Sequence, residues 1–295
     1  MQLPEMQGEY KKNYLLKHLT WFKVGGEAEI FFKPTTSHDL ANFLLTKPQN
    51  VAVTVLGAGS NIIIRDQRIE GVVVKLGQNF TKIQLMPDNT IAVGGACLNF
   101  NLAKFSQEHS ISGLEFLIGI PGTVGGGVIM NAGSYNSEFK DIILSIEAIT
   151  TRGEFITITN EEIGFKYRGT NLPKDLIIIK AIVKGTIGNK EVITTTMNTI
   201  SNTRQATQPI KERTGGSTFA NPTHCKAWQL IDQAGMRGYQ VGGAAISSLH
   251  CNFMINQGNA SAYDLETLGE LVREKVLQDS GISLEWEIKR IGKYA

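Results

Sequence analysis

The stretch Gly119-Ile120-Pro121-Gly122-Thr123-Val124-Gly125-Gly126-Gly127, followed shortly by Asn131-Ala132-Gly133, constrains this chain more than any other segment. Glycine in regular structure forfeits roughly 0.5–1 kcal/mol per residue of backbone entropy relative to alanine. A fold accepts that loss where chain and ligand, or chain and chain, must touch. Pro121 fixes φ just before Gly122, so the segment reads as a stiff, bare loop. A second such segment lies upstream, Val55-Leu56-Gly57-Ala58-Gly59-Ser60-Asn61, followed by the apolar run Ile62-Ile63-Ile64. Successive amides in such a turn form an anion nest, and Ser60 and Asn61 add side-chain donors. It is not a Rossmann fingerprint, because the third glycine is missing and a β-branched run stands where a helix should start. Alone it reads as a hairpin turn. Two stiff glycine loops in strand-rich surroundings suggest a bound dinucleotide with its diphosphate against backbone amides; close sheet packing is the other reading.

The surroundings are strand-rich up to about residue 190. Segments 51–56, 71–76, 90–93, 142–149, 155–158 and 176–183 carry the Val, Ile and Thr that strands favour, while only 38–47 and 100–109 read as helices. The regular strand–helix alternation of a doubly wound sheet is absent, so the fold class expected is α+β. Later the pattern turns helical: 197–206, 227–234 closed by Gly235, and a longer helix with Ser261 as N-cap and Asp264 three residues on. Leu265, Leu268, Val272 and Val276 form its apolar stripe, Gly281 ends it, and 284–291 reads as a final strand. A length of 295 residues predicts about two domains. They are placed at 1–190, with lobes at about 20–80 and 81–190, and at 191–295.

Charge and hydropathy exclude several classes. Twenty-nine Lys and Arg against 27 Asp and Glu leave a net charge of +2, too little for a nucleic-acid protein that relies on phosphate contacts. The longest apolar runs are too short to cross a bilayer, and the polar N-terminus lacks the apolar segment of a secretory signal. Cys97, Cys225 and Cys251 are odd in number and widely spaced, which excludes a CxxC site. His224 and His250 have no metal-ligand spacing, and no metal is expected. A monomeric, cytoplasmic protein without nucleic-acid or membrane partners is the expectation.

The order WFKVGG (21–26), VLGAGSN (55–61), GLEFLIGIPGTVGGGVIMNAG (113–133), YRG (167–169), GGSTFANP (215–222) and LEWEIKRIG (284–292) resembles the UDP-N-acetylenolpyruvoylglucosamine reductase (MurB) family of peptidoglycan synthesis. The resemblance implies an FAD-binding domain of the vanillyl-alcohol-oxidase (PCMH) type over 1–190, followed by a smaller α+β substrate-binding domain. It implies non-covalent FAD, with Gly57, Ala58, Gly59, Ser60, Asn61, Ile120, Pro121, Gly122, Gly125, Gly126 and Gly133 around it. The implied reaction is NADPH-dependent reduction of the enolpyruvyl group of a UDP-sugar to UDP-N-acetylmuramate. Flavin suits it because one pocket can take a hydride from one partner and give it to another.

Hydride addition to the terminal carbon develops charge beside the carboxylate, which calls for a cation or donors there and an acid for the carbon. Ser217 matches the family's proton donor, although Ser beside Gly-Gly is by itself an ordinary turn residue. Arg168 matches the family's arginine, and a guanidinium can grip a carboxylate bidentately. Glu287 matches the second glutamate of the closing motif; strand alternation places Glu285 and Glu287 on one face, so spacing alone does not choose between them. Tyr167, Arg168 and Asn221 are the substrate contacts implied. Ala220 departs from the family, which usually has a longer basic residue there, and Lys211, Arg213 or Lys226 are the candidates to replace it. His250-Cys251-Asn252 is expected to pack at the domain interface. Two other readings are a flavin oxidase of the same fold, which lacks support from any His or Cys placed for covalent FAD, and a nucleotide-binding protein without catalysis.

Overall fold

The computed structural model describes residues 2–294. The chain forms two compact units, both discontinuous in sequence. The first takes the chain up to Lys12 with Ile30–Ala58 and Glu70–Asn202; the second takes Asn13–Glu29, Gly59–Ile69 and everything from Thr203. This partition differs from a division at residue 190. Helix Lys190–Thr207 starts where the Asn189 side chain accepts the N–H of Glu191 and Val192 at 2.8 and 3.2 Å, and its leading turns bury Ile193 and Met197 in the first unit's core.

The first unit has two cores. One lies on a five-stranded antiparallel sheet in the order Phe155–Thr159, Ile143–Ile149, Ile177–Lys184, Thr90–Gly94, Ile83–Leu85. The outermost strand, Phe155–Thr159, buries none of its residues, whereas Ile177–Lys184 buries five of its eight. That is the difference between an edge and a centre. Helix Asn99–Glu108 contributes Leu102 and Ala103 to the same core. The other core gathers Phe32, Phe43, Val72, Val74 and Phe80, with Tyr10 stacked on Phe32 at 4.7 Å between ring centroids. The Thr36 hydroxyl caps its helix Ser37–Thr46 by accepting the Asp39 N–H at 3.0 Å.

The predicted strands and helices of this unit appear with small shifts in bounds, but the long glycine segment is not all loop. Val124–Ile129 is a short helix capped by Thr123, whose hydroxyl accepts the Gly126 N–H at 3.3 Å. The helix forms despite its glycines because they permit contacts that side chains would block. A Cβ on Gly127 would stand 2.3 Å from the buried Phe139 ring, and one on Gly125 would stand 3.0 Å from the Gly95 carbonyl. These two glycines serve chain–chain contact.

The second unit packs helices Ala227–Gln233 and Ala262–Ser280 over Phe22, Phe219, Leu284 and the three-stranded sheet Gln240–Val241, Ala244–Ile246, Met254–Asn256. Ser261 and Asp264 form the predicted capping box, Gly281 closes the helix at φ 72°, and Leu265, Leu268, Val272 and Val276 are fully buried. The expected final strand 284–291 is only partly ladder. Lys289–Ile291 pairs in parallel with Ile62–Ile64, while the preceding residues run beside 218–220 with an isolated bridge between Phe219 and Trp286. His250-Cys251-Asn252 belongs to this unit: Cys251 is in its core, and Asn252 is 4% exposed.

Candidate active site

In the first unit, the turn Ile120-Pro121-Gly122 is held from below by Asn99. The backbone N–H of Asn99 donates to Gly122 O at 3.1 Å and its Nδ2 donates to Ile120 O at 3.2 Å. Gly122 has φ 130°, a value that side-chain-bearing residues rarely adopt. The amides of Val124, Gly125, Gly126 and Gly127 all donate within the protein, to Cys97 O, Gly95 O, Thr123 Oγ1 and Thr123 O. The segment 119–127 therefore does not offer these four amides to a diphosphate, contrary to the sequence expectation. Gly57 and Ala58 do: among the described residues neither N–H donates to a protein acceptor, and Gly57 is exposed. Lys75 Nζ donates to the Gly57 carbonyl, and burial together with nearby Lys33 lowers the Lys75 pKa.

Two further observations bear on whether these residues fit a flavin nucleotide. Asn99 is fully buried, and its Oδ1 has no hydrogen-bond partner. Such an acceptor is costly to leave unmet and matches a ligand hydroxyl or N–H. Gly57 and Gly126 leave bare backbone around Thr123, whose Oγ1 lies 3.1 and 3.3 Å from where their Cβ atoms would stand. A cradle of unmet donors, one unmet acceptor and missing side chains fits FAD. Cys97 is buried, and that burial pushes its thiol up to about 11, away from the thiolate form.

Tyr167 and Arg168 form the corner between Lys166 and Gly169, whose backbones exchange hydrogen bonds of 2.9 and 3.1 Å. Arg168 has φ 55°, a left-handed backbone that a non-glycine residue adopts only when its surroundings hold it there. Its Nη2 donates to Gly133 O at 3.3 Å, and its guanidinium stands 5.0 Å from the centroid of the exposed Tyr167 ring. Asn131 ties this corner down. Its Nδ2 donates to Glu138 Oε2 at 2.9 Å and to Lys166 O at 3.1 Å, and its Oδ1 accepts the Lys140 N–H at 3.0 Å. Asn131→Ala removes one partner from each of these bonds and leaves the Lys166 carbonyl and the Lys140 N–H without it, and the expected loss is about 2–3 kcal/mol of unfolding free energy, read from a urea titration.

In the second unit, Ser217 follows Gly215 and Gly216. A Cβ on Gly215 would stand 2.3 Å from the Phe22 ring, whereas one on Gly216 would meet nothing within 4 Å, so the chain beside Ser217 faces open space. The residue after Ser217 is braced from two sides. Thr218 N donates to Asn252 O at 2.7 Å, and Thr218 O accepts from Glu287 N at 2.9 Å. The Asn252 side chain clamps the next peptide, accepting Phe219 N–H at 2.9 Å and donating to Phe219 O at 2.8 Å.

Ser217 and Glu287 thus lie on neighbouring stretches of chain. Glu285 is exposed and Glu287 half-buried, a difference that alternation alone does not supply. Asn61 joins the glycine turn to this pair through Nδ2, which donates to Glu287 O at 3.2 Å, and through its carbonyl, which accepts Lys289 N–H at 3.1 Å. Asn221 is exposed, and its Oδ1 accepts the N–H of Ala227 at the start of helix Ala227–Gln233. Ala220 donates its N–H to Glu285 O. Arg213, one of the candidates to replace a basic residue at 220, donates to Gly258 O at 3.3 Å, and Lys226 precedes the helix at its N-cap position. A separate polar cleft of about 590 Å³ in this unit, lined by Lys17, Lys23 and Arg68 among others, holds none of the predicted site residues.

Sequence reasoning missed Asn99, Asn131, Asn252 and Lys75. Asn131 stood inside a quoted motif; the other three carried no signal, because their partners are distant backbone atoms.

Comparison with known proteins now defines the class. Residues 28–159 match the FAD binding domain, and residues 208–291 match the C-terminal domain of UDP-N-acetylenolpyruvoylglucosamine reductase. The pairing is that of a flavoprotein whose second part belongs to a sugar-nucleotide reductase. UDP-N-acetylenolpyruvoylglucosamine reductase of Rickettsia felis is 65% identical over 292 residues, covering 99% of both chains, and that of Rickettsia akari is 66% identical over the same span. The crystal structure of the reductase (MurB) from Thermus caldophilus superposes with a TM-score of 0.85 at 33% identity, over 98% of this chain and 100% of that one. This chain belongs to the UDP-N-acetylenolpyruvoylglucosamine reductase family.

Proposed function

We propose that this chain is an NADPH-dependent, FAD-containing oxidoreductase that reduces the enolpyruvyl group of UDP-N-acetylglucosamine enolpyruvate to UDP-N-acetylmuramate for peptidoglycan synthesis. The observation that carries this reading is the 65% identity, end to end, with a reductase of that name. Bound non-covalently, FAD supplies hydride carriage between NADPH and the enolpyruvyl double bond. The residues that hold it are Gly57, Ala58, Gly59, Ser60 and Asn61, with Ile120, Pro121, Gly122, Gly125, Gly126 and Gly133 shaping the cradle. Gly125 and Gly133 do so by close backbone packing. Cofactor binding is assigned to the glycine turns, and sugar-nucleotide binding to the chain from about 191 onward.

The remaining chemistry falls to side chains. Once hydride reaches the terminal carbon, negative charge spreads from the adjacent carbon into the carboxylate. Arg168 grips that carboxylate with a planar fork that is always charged. The Ser217 hydroxyl gives its proton to the carbon; a serine is a weak acid, but a carbanion-like enolate is a strong enough base to take the proton. Glu287, held against Thr218 by its own N–H, assists that protonation or polarises the developing enolate. Tyr167 and Asn221 contact the sugar nucleotide, through a ring edge and an amide respectively. We place the protein in the cytoplasm as a monomer that needs no nucleic acid or membrane. Among the described residues no helix is long and apolar enough to cross a membrane.

The purified protein is expected to be yellow, to bleach with NADPH in the absence of oxygen, and to recover its colour when the enolpyruvyl UDP-sugar is added. A colourless protein that takes up no added flavin overturns the reading. Arg168→Lys is expected to slow recovery by on the order of 10², with bleaching unaffected, because a point charge does not reproduce a fork. An unimpaired variant removes Arg168 from the site.

A further inference from the structure

We propose that Lys75 is a positioning residue for FAD: by holding the Gly57 carbonyl it fixes the Gly57–Ala58 peptide, so that the Ala58 N–H is presented to the cofactor's diphosphate. The inference rests on the FAD reading above. A trans peptide is planar, with its C=O and N–H directed to opposite sides, and the described chain has no cis peptide. Whatever grips the Gly57 oxygen therefore decides where the Ala58 hydrogen points. The gripping group is the ammonium of Lys75, which rises from the end of strand Ile69–Val74 and reaches back to the turn after strand Val53–Val55. Those two strands pair in parallel, Val55 opposite Val74, and Leu56 N–H donates to Val74 O at 2.9 Å. The anchor and the turn it holds thus leave the same edge side by side.

Three observations separate this contact from a chance surface bond. Lys75 is half-buried rather than extended into water. Lys33 stands close enough to depress its pKa, an arrangement of like charges that a bound anion would relieve. The Ala58 N–H at the far end of the gripped peptide has no protein acceptor among the described residues. A glycine turn left to itself samples both peptide orientations, and only one of them offers the donor.

The test uses the full-length protein loaded with FAD and diluted stepwise, with free-flavin fluorescence reporting dissociation and a melting curve of the stripped protein reporting fold. Lys75→Met is expected to weaken FAD binding by about tenfold or more. Lys75→Arg, which keeps a donor able to reach the carbonyl, is expected to stay within about threefold of the parent. Lys33→Met removes a neighbouring positive charge without touching the carbonyl, and is expected to cost less than Lys75→Met. Melting of the stripped variants should match the parent. Equal losses in Lys33→Met and Lys75→Met would show a field effect and overturn the proposal. So would tight binding in Lys75→Met, or failure of Lys75→Arg to restore affinity in a protein that still melts normally. If the parent protein itself takes up no FAD, it is the functional reading that has failed.

Discussion

Ser217→Ala should leave flavin bleaching by NADPH nearly intact and slow reoxidation by the enolpyruvyl UDP-sugar by on the order of 10²–10⁴. The asymmetry follows from what the residue is for. NADPH oxidation needs no proton delivered to carbon, whereas the enolate formed in the second half-reaction persists until an acid quenches it. The local backbone does not depend on the hydroxyl. Thr218 is held by the N–H of Glu287 and the carbonyl of Asn252, and Phe219 is bracketed by the Asn252 side chain. Alanine at 217 therefore keeps the backbone where it is and removes only the proton source. Stopped-flow absorbance at the flavin band separates the two half-reactions. If both slow equally, Ser217 is scaffold and the acid lies elsewhere.

The contrast between Ser217 and Asn252 explains how much of this molecule could be read from sequence. Elements whose signals are local were legible. Ser261, Asp264 and Gly281 announce both ends of one helix, and its buried stripe falls at the expected spacing. The motif residues around 57–61, 120–133, 217 and 287 were legible through their resemblance to one family. What escaped depends on partners far away in the chain. Asn252 looks like any polar residue until the fold sets its amide against both polar groups of Phe219.

The early segments that join the second unit escaped for the same reason. It recruits Gly59–Ile69 because Ile62–Ile64 finds Lys289–Ile291, a pairing between opposite ends of the chain that no local pattern foretells. The helix Val124–Ile129 was hidden by composition. Glycine-rich sequence argues for loop on propensity, and tertiary contact with Phe139 and Gly95 overrides it. The two glutamates of the closing motif were separable only by burial, which follows from the irregular way this stretch runs beside 218–220.

Gly59→Ala should cost FAD affinity by on the order of 10², a loss that follows from two terms. Gly59 has φ 69°, a left-handed conformation that costs a side-chain-bearing residue about 1–2 kcal/mol. An alanine Cβ would also stand 2.1 Å from the Leu19 carbonyl oxygen, a backbone atom. That atom does not swing away as a flexible side chain would, because the neighbouring segment is pinned by Trp21 N–H donating to Gly59 O at 2.9 Å. Relief by a backbone shift is worth about 1–3 kcal/mol in comparable overpacked sites. The least costly shift moves the turn itself, and with it the donors of Ser60 and Asn61 and the link from Asn61 to the Glu287 carbonyl. At 1.4 kcal/mol per factor of ten, the combined penalty sets the magnitude. Gly281→Ala supplies the control. It has the same backbone hand, φ 72°, but a Cβ there meets nothing within 4 Å. It should lower the melting temperature slightly and leave flavin affinity where it was. Flavin titration of the two variants decides the matter: equal loss in both assigns the effect to general instability, and full retention in Gly59→Ala removes this turn from the cofactor site.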